Sequence, residues 1–287
     1  MQIFTSKKTL SLALKDHANI GFVPTMGNLH AGHLHLVKLA KQYADCVVVS
    51  IFVNPLQFSA NEDLANYPRT FEADCEKLEA AGCDIIFAPT IAEIYPQMTK
   101  SASGDIHLHQ TMLIQLPAIA NVLCGVSRPG HFAGVATVVA KLFNIVSPQI
   151  AVFGQKDFQQ LFIIRELVKQ FNYPIQIIAG ETVREPNGLA LSSRNSYLSD
   201  NEKQQAAQLN QVLQSIVAQI KIKNLAFIAL ENDAQNRLNA LGWQVDYIAV
   251  RCALTLLPAI ESDQDLVILG AAKIGNTRLI DNIELTL

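Results

Sequence analysis

The chain has 287 residues, half of them hydrophobic and 16% charged, with a formal net charge of −3. Such a composition buries a sizeable core and excludes general disorder, and its acidic balance argues against a nucleic-acid binder, which carries a basic excess. The five cysteines are odd in number and form no CxxC pair, so they read as reduced thiols in a cytoplasmic protein, and a disulfide frame or a zinc site is not expected.

Near the N-terminus, the apolar stretch Leu10 to Leu14 ends at Lys15-Asp16 and is too short for the core of a signal peptide. Ile20 to Val23 reads as a strand, and Ala31 to Tyr43 as a helix. Val47 to Val53 is β-branched and almost wholly apolar, as expected of a strand buried on both faces. A helix over Phe71 to Ala81 stops at Gly82, and Asp84 to Ala88 is a third strand. A helix over Val135 to Val146 ends before Pro148, and its Lys141 and Asn144 argue against a membrane span. Ile150 to Phe153 is a strand, Gln159 to Phe171 a helix, and Ile175 to Ala179 a fifth strand. Strands alternating with helices over short joints predict an α/β domain with a parallel sheet.

Beyond Val183 the pattern changes. Asn201 to Ile220 and Leu225 to Leu241 read as helices. The strands Gln244 to Val250, Asp265 to Ala271 and Ile274 to Ile280 then follow closely. This predicts a smaller α+β domain, with the boundary inside the polar stretch Arg184 to Asn195.

Ligands of open parallel sheets bind beyond the carboxyl ends of the strands, and specific polar strings stand there. Pro24 to His33 reads Pro-Thr-Met-Gly-Asn-Leu-His-Ala-Gly-His. Gly27 allows a tight turn. His30 and His33 fall on one side of the first turn of a helix, whose free N–H groups and positive dipole end favour phosphate, and their rings can follow charge developing on phosphate oxygens. Alone, such a pair would be two surface histidines; the whole string after a strand favours the functional reading. Gly32 leaves room for a nucleotide.

After the second strand, Gln57 is either an exposed loop glutamine or an amide that bonds a carboxylate or hydroxyl. In Ser127 to Phe132, Arg128 suits a carboxylate or phosphate, and His131 reads as a structural donor. After the fourth strand, Gly154 permits close approach, Lys156 suits phosphates, and Asp157 suits ribose hydroxyls; Lys156 and Asp157 are otherwise a solvated ion pair. Ser192, Ser193 and Arg194 form either a triphosphate clasp or the N-cap region of the next helix. His107 and His109 read as surface residues, lacking a third metal ligand. No GxxxxGK[ST], GxGxxG or GxSxG string occurs.

The Pro24 to His33 string resembles the H-x-G-H signature of adenylyl-transferring α/β enzymes. Together with Val53 to Phe58, Tyr67-Pro68-Arg69-Thr70, Ser127 to Phe132, Gly154 to Leu161 and Val183 to Asn195, in that order, it resembles the pantothenate synthetase (pantoate–β-alanine ligase) family. The resemblance implies a Rossmann-like nucleotidyl-transferase domain over 1–183 that binds ATP and pantoate. The α+β domain over 184–287 is then expected to close over the site. It also implies adenylation of pantoate by MgATP, attack of β-alanine on pantoyl-adenylate, and a cytoplasmic homodimer.

By the same resemblance, Met26, Gly27, Asn28, Leu29, His30, Ala31, Gly32 and His33 contact ATP, with His33 in the position of the family's proton donor. Gly154, Gln155, Lys156, Asp157, Val183, Leu191, Ser192, Ser193 and Arg194 also match ATP contacts. Gln57 and Gln160 match the pantoate-binding glutamines, and Gln57 also borders the β-alanine site. His30, His33 and Lys156 are the expected catalytic set. The protein ligands of Mg²⁺, if there are any, stay open. Gln155 stands where Glu is common, Leu191 where Met is common, and Val126 where a polar residue is frequent; the Gln155 and Val126 changes remove charge near the nucleotide. Another adenylyltransferase of the superfamily is the nearest competing enzyme. A non-catalytic ATP sensor would be expected to lose some of His30, His33, Lys156 and Arg194, and all four are present.

Overall fold

The computed structural model describes residues 1–58, 64, 67–100, 106–223 and 226–287. In chain order its elements begin with β1 (Gln2–Phe4), α1 (Lys7–Leu14), β2 (Ile20–Thr25), α2 (Ala31–Ala40), β3 (Cys46–Ile51), α3 (Phe71–Ala80) and β4 (Ile85–Phe87). Short elements follow: α4 (Ile91–Ile94), β5 (Thr99–Lys100), β6 (Ile106–His107) and α5 (Cys124–Ser127). Then come α6 (His131–Val146), β7 (Ile150–Gly154), α7 (Phe158–Gln170), β8 (Gln176–Gly180), α8 (Asp200–Lys221), α9 (Phe227–Ala240), β9 (Gln244–Cys252), β10 (Asp265–Ile274) and β11 (Thr277–Thr286).

Chain contacts divide these into two compact units. The first comprises Met1–Ala120, Arg128–Gly154 and Gln160–Gly180; the second comprises Asn121–Ser127, Gln155–Gln159 and Glu181–Leu287.

In the first unit six strands form a parallel sheet in the order β1-β4-β3-β2-β7-β8. Alternation along the strands sends successive side chains to opposite faces. Cys46 and Val48 of β3, Phe22 of β2, Phe87 of β4 and Phe153 of β7 enter one core cluster, with Leu10 of α1, Phe143 of α6 and Leu161 of α7. Val47 and Val49, Val23, Ile86 and Val152 enter the other, with Val37 of α2 and Leu78 of α3. The sheet is therefore covered on both faces. Burial also lifts the Cys46 thiol to about 11 and the Cys83 thiol to about 12.

The strand order reverses at β2. Strands β3, β4 and β1 lie to one side of it, and β7 and β8 to the other. Adjacent crossovers leave β2 and β7 in opposite directions, which makes their carboxyl ends the switch point where open α/β sheets bind ligands.

The second unit is α+β. Its three antiparallel strands run in the order β11-β10-β9. Leu209, Leu213 and Ile216 of α8 pack with Leu238 of α9 on Ile248, Ile268 and Leu279 of the sheet.

Several boundaries differ from the sequence reading. β1 was missed; it is a three-residue edge strand with little burial, and hydrophobic pattern alone does not find such a strand. Helix α6 begins at His131 and not at Val135, because Gly130 takes the left-handed conformation (φ +78°) and the buried His131 and Phe132 follow it. Ile274 belongs to β10; the chain turns at Gly275-Asn276, and β11 runs on to Thr286. Leu225, the expected start of α9, lies outside the described residues. Among the described residues, no helix is long and apolar enough to cross a membrane.

Gly134 sets how closely α6 approaches the chain that follows β3. A Cβ there would overlap the carbonyl of Leu56 and sit 2.8 Å from the amide nitrogen of Gln57. Alanine normally favours a helix interior over glycine by about 1 kcal/mol, but backbone cannot yield as a side chain can. Gly134→Ala should therefore destabilise the protein by about 1–3 kcal/mol, read as a lower urea midpoint. An unchanged or raised midpoint would show that the two segments are not in this contact.

Candidate active site

The string after β2 folds into a turn and a helix start. Gly27 (φ +84°) and Asn28 (φ +51°) are both left-handed, which turns the backbone sharply and aims successive N–H groups inward. A carboxylate of the protein itself takes them. Asp74 of α3 is 1% exposed and accepts from the N–H of Asn28 and of Leu29, each at 2.8 Å, and from the Thr70 hydroxyl at 3.0 Å. Lys77 donates to the Leu29 carbonyl at 2.8 Å. A Cβ on Gly27 would stand 3.2 Å from Asp74 Oδ2, so the turn has little room for a larger residue.

His30 caps α2. Its Nδ1 accepts from the Gly32 N–H at 3.1 Å, and His33 Nδ1 accepts from the His30 N–H at 3.3 Å. The ring centroids are 4.1 Å apart. The N–H groups of Asn28 and Leu29 serve Asp74, and that of Gly32 serves His30, so these three donors of the string are engaged by the protein itself. Because each Nδ1 accepts a backbone proton, the neutral rings carry their own protons on Nε2.

Gln57 is 8% exposed, which decides against an exposed loop residue. It lies in a 3-10 turn, Pro55–Gln57, capped by Asn54, whose Oδ1 accepts from the Leu56 N–H. Its Nε2 donates to Met26 Sδ at 2.9 Å, and its Oε1 accepts from Asn54 Nδ2 at 3.2 Å. Tyr95 donates to Asn54 at 2.7 Å, and burial pushes its phenol well above the ordinary range. His131 Nδ1 contacts the Gln57 carbonyl at 2.8 Å and its Nε2 contacts Arg128 Nη1 at 2.9 Å. A carbonyl only accepts and a guanidinium only donates, so His131 donates from Nδ1 and accepts at Nε2. Arg128 thereby orients His131, and His131 holds Gln57. Gln160 lies half-buried in the first turn of α7.

The remaining residues gather in the second unit, apart from Gly154, the last residue of β7. Gln155–Asp157 form a 3-10 turn. Val183 to Leu191 form a tight hairpin, with Leu191 donating to the Val183 carbonyl at 2.9 Å, Arg184 bridging Ala190, and Gly188 (φ +95°) at the turn. Ser192 accepts from the Arg194 N–H at 3.2 Å and caps the 3-10 turn Ser193–Tyr197. The expected N-cap role is corrected by one turn of chain: α8 is capped by Ser199 in a reciprocal box with Glu202, whose carboxyl these bonds hold below its usual range. A cavity in this unit is lined by the polar residues Lys156, Ser192, Arg194, Arg278 and Asp281 and by apolar residues such as Leu189, Ala206 and Leu209.

Two residues of β11 tie these segments together, and the sequence reading missed both. Asp281, 4% exposed, takes both terminal nitrogens of Arg184 at 2.6 and 2.8 Å, together with Asn210 Nδ2 at 3.1 Å and the Asn282 N–H at 2.8 Å. Asn282 directs its Nδ2 to the carbonyls of Gln155 and Lys156 at 2.9 and 2.8 Å. The turn carrying Lys156 and the hairpin leading to Arg194 are thus both fastened to adjacent residues of one strand. The sequence cue available was the adjacent polar pair Asp281-Asn282, which interrupts the alternation of apolar and polar residues along the strand.

Lys156 and Asp157 are 3.9 Å apart, and the Lys156 side chain is 17% exposed, so the lysine is not a freely solvated surface cation. His107 and His109 are exposed, with His109 Nε2 3.0 Å from the Thr99 hydroxyl. Among the described residues, no group of three His, Cys, Asp or Glu could hold a metal ion.

Asn282→Asp keeps the shape of the residue and removes both donated bonds. It should cost about 1–3 kcal/mol for each carbonyl left unpaired, measured by urea denaturation. Wild-type stability in this variant would show that the Gln155–Asp157 turn is held by something else.

The chain matches the Pantoate-beta-alanine ligase family model over residues 2–284. It is 59% identical to a pantothenate synthetase of Methylobacillus flagellatus over 284 residues, covering 99% of this chain and 98% of the relative. It is 53% identical to one of Thiobacillus denitrificans over 287 residues, covering 100% and 98%. Among solved structures, a pantothenate synthetase of Thermus thermophilus superposes with a TM-score of 0.91 at 38% identity, with 100% of both chains covered. A pantoate-beta-alanine ligase of Francisella tularensis, solved with beta-gamma ATP and beta-alanine, superposes with a TM-score of 0.79 at 36% identity, covering 99% of this chain and 97% of that one. A match over nearly the whole length, at such identities, places this chain in the pantoate–β-alanine ligase family.

Proposed function

We propose that this protein condenses (R)-pantoate with β-alanine to give pantothenate, AMP and pyrophosphate through a pantoyl-adenylate. Membership of the family carries the ligase activity. The observation that supports the adenylate route is the combination, in one chain, of two imidazoles with Nε2–H donors at the end of β2 and a cavity lined by Lys156, Ser192 and Arg194.

In the first step a pantoate carboxylate oxygen attacks the α-phosphorus of ATP. The bond to the bridging oxygen breaks, and its electron pair leaves with pyrophosphate. His30 and His33 donate to the α-phosphoryl oxygens as charge shifts there, while Lys156, Ser192, Ser193 and Arg194 receive the charge growing on the departing phosphates. The segments Met26–His33, Gly154–Asp157, Val183 and Leu191–Arg194 thus all serve ATP. In the second step the neutral β-alanine amine attacks the acyl carbon, AMP leaves with the acyl–oxygen bonding pair, and the new amide nitrogen gives up one proton to solvent.

Gln57 and Gln160 hold pantoate, and Gln57 also borders the amine. The Gln57 amide is held in place by Met26 and Asn54 before any substrate arrives, so less ordering is needed on binding. Mg²⁺ enters as part of the MgATP substrate. We assign residues 1–183 to ATP and pantoate binding, with 184–287 supplying the phosphate clasp, and place the enzyme in the cytoplasm as a homodimer without nucleic-acid or membrane partners.

Pantoate labelled with heavy oxygen in its carboxylate tests the route. One label should appear in AMP and none in pyrophosphate. Label in inorganic phosphate, with unlabelled AMP, would mean attack at the γ-phosphorus and would overturn the mechanism even with pantothenate as product.

Gly154 offers a second test. A Cβ there meets only Leu36, at an ordinary 3.8 Å, so no protein neighbour requires a glycine. Gly154→Ala should leave the urea midpoint unchanged or slightly raised, yet raise the KM for ATP by about tenfold or more, because the added methyl occupies space the nucleotide needs. Unchanged ATP kinetics would remove Gly154 from the nucleotide site.

A further inference from the structure

We propose that Arg278 is a further substrate-contacting residue, one that binds the pyrophosphate portion of ATP; this rests on the reading above, in which the cavity of the second unit receives the phosphates. Arg278 lies at the start of β11 and lines that cavity with Lys156 and Arg194. Its side chain is 18% exposed. Its Nε donates to Asp246 Oδ2 of β9 at 2.6 Å, and its Nη2 donates to Cys124 Sγ at 3.6 Å. The thiol is fixed in turn: Tyr247 Oη lies 3.1 Å away, and the Cys124 N–H donates to Gln159 Oε1 at 3.1 Å. Burial of Tyr247, reinforced by the neighbouring thiol, pushes its phenol well above the ordinary range, so it stays a neutral neighbour.

A guanidinium carries five N–H donors in a rigid plane. The bonds to Asp246 and Cys124 use the Nε and one Nη2 donor, and neither uses Nη1. A plane clamped in this way, on a residue that lines the cavity, is preorganised for two-point contact with a phosphate, which a flexible lysine cannot reproduce.

The charge arrangement points the same way. Asp281 also lines the cavity, but its carboxylate is spent on Arg184, Asn210 and the Asn282 N–H. It is therefore poorly placed to cancel the cations beside it. If Arg278 served only to pair with Asp246, a pair so little exposed would gain little over apolar packing, and nothing in that role calls for the cavity position. The role fits the chemistry of adenylation, where the electron pair of the breaking bond goes to pyrophosphate and planar donors already in place stabilise it.

The test measures binding of inorganic pyrophosphate and of AMP separately, in magnesium buffer, by calorimetry on the full-length wild type, R278Q, R278K and K156A. Unfolding temperatures are recorded for each. R278Q should bind pyrophosphate about tenfold to a hundredfold more weakly, the scale of losing charge-assisted hydrogen bonds. R278K should recover only part of that loss. AMP, which lacks the two outer phosphates, should bind within about twofold of wild type by the same argument. K156A should also weaken pyrophosphate. If K156A loses pyrophosphate affinity and R278Q does not, Arg278 is only a partner of Asp246 and the proposal fails while the reading of the cavity stands. If neither variant changes pyrophosphate binding, the cavity does not take the phosphates and the reading fails with the proposal. An equal loss of AMP and pyrophosphate in R278Q, with a lowered unfolding temperature, assigns the residue a structural role and also overturns the proposal. Should R278Q not fold, R278K, which keeps the charge and the stem, is judged by the same criteria.

Discussion

A parallel sheet covered by helices on both faces leaves no wet surface on either face, and that constraint governs where chemistry can occur in the first unit. Strand β3 is the clearest case: its residues from Cys46 to Ser50 are wholly buried, with alternate side chains committed to opposite cores. Polar function can only begin where a strand ends. Met26–His33 follow the last residue of β2, Gln57 follows β3 by six residues, and Gly154 closes β7. Reversal of strand order between β2 and β7 separates the crossovers at that end.

The loops that carry the candidate site residues are held by buried carboxylates. An ionised carboxyl removed from water is costly unless donors surround it. Asp74 gathers two backbone N–H groups and a hydroxyl; Asp281 gathers an arginine fork, an amide and a backbone N–H. Each therefore fixes several chain segments at once, before any substrate is present. Preorganisation of this kind lets binding free energy go into the reaction and not into ordering loops. It also explains why the left-handed Gly27-Asn28 turn persists: the N–H groups it exposes are satisfied by Asp74.

Fold class and family are legible in consecutive residues, whereas what depends on contacts across the chain is not. The run Val47 to Val53 announces a doubly buried strand through composition, although β3 spans Cys46–Ile51 and Phe52 and Val53 fall beyond it. The string Pro24 to His33 stands out because its ten residues are adjacent and can be read together. Asp74, Asn282 and Arg278 are single residues inside ordinary helical or strand patterns, and their meaning appears only when segments as distant as Gln155 and Asn282 are brought within 2.9 Å. Gln57 was undecided between loop and ligand because burial depends on α6, whose Gly134 admits the Leu56–Gln57 backbone. The start of β11 was misplaced because Ile274 and Ile280 look alike in sequence, while the turn at Gly275 is set by pairing with β10.

The paired histidines show how such contacts refine a chemical role. A position occupied in the family by a proton donor invites the view that His33 gives a proton to the reacting phosphate. In this structure the Nδ1 lone pairs of both rings accept backbone N–H groups, one from Gly32 and one from His30 itself. Each neutral ring then has a single proton, on Nε2. Giving it up would leave an imidazolate, a far stronger base than any phosphoryl oxygen, so transfer from that state runs uphill. A hydrogen bond from Nε2–H needs no transfer, and it strengthens as negative charge grows on the acceptor. Attack of a carboxylate at phosphorus, with pyrophosphate leaving as an anion, also has no proton to move in the bond-making step. Geometry and stoichiometry agree on the same role: within the adenylation proposed above, His30 and His33 act as fixed dipoles that follow the charge, and the cap that fixes their tautomers is part of the catalytic design.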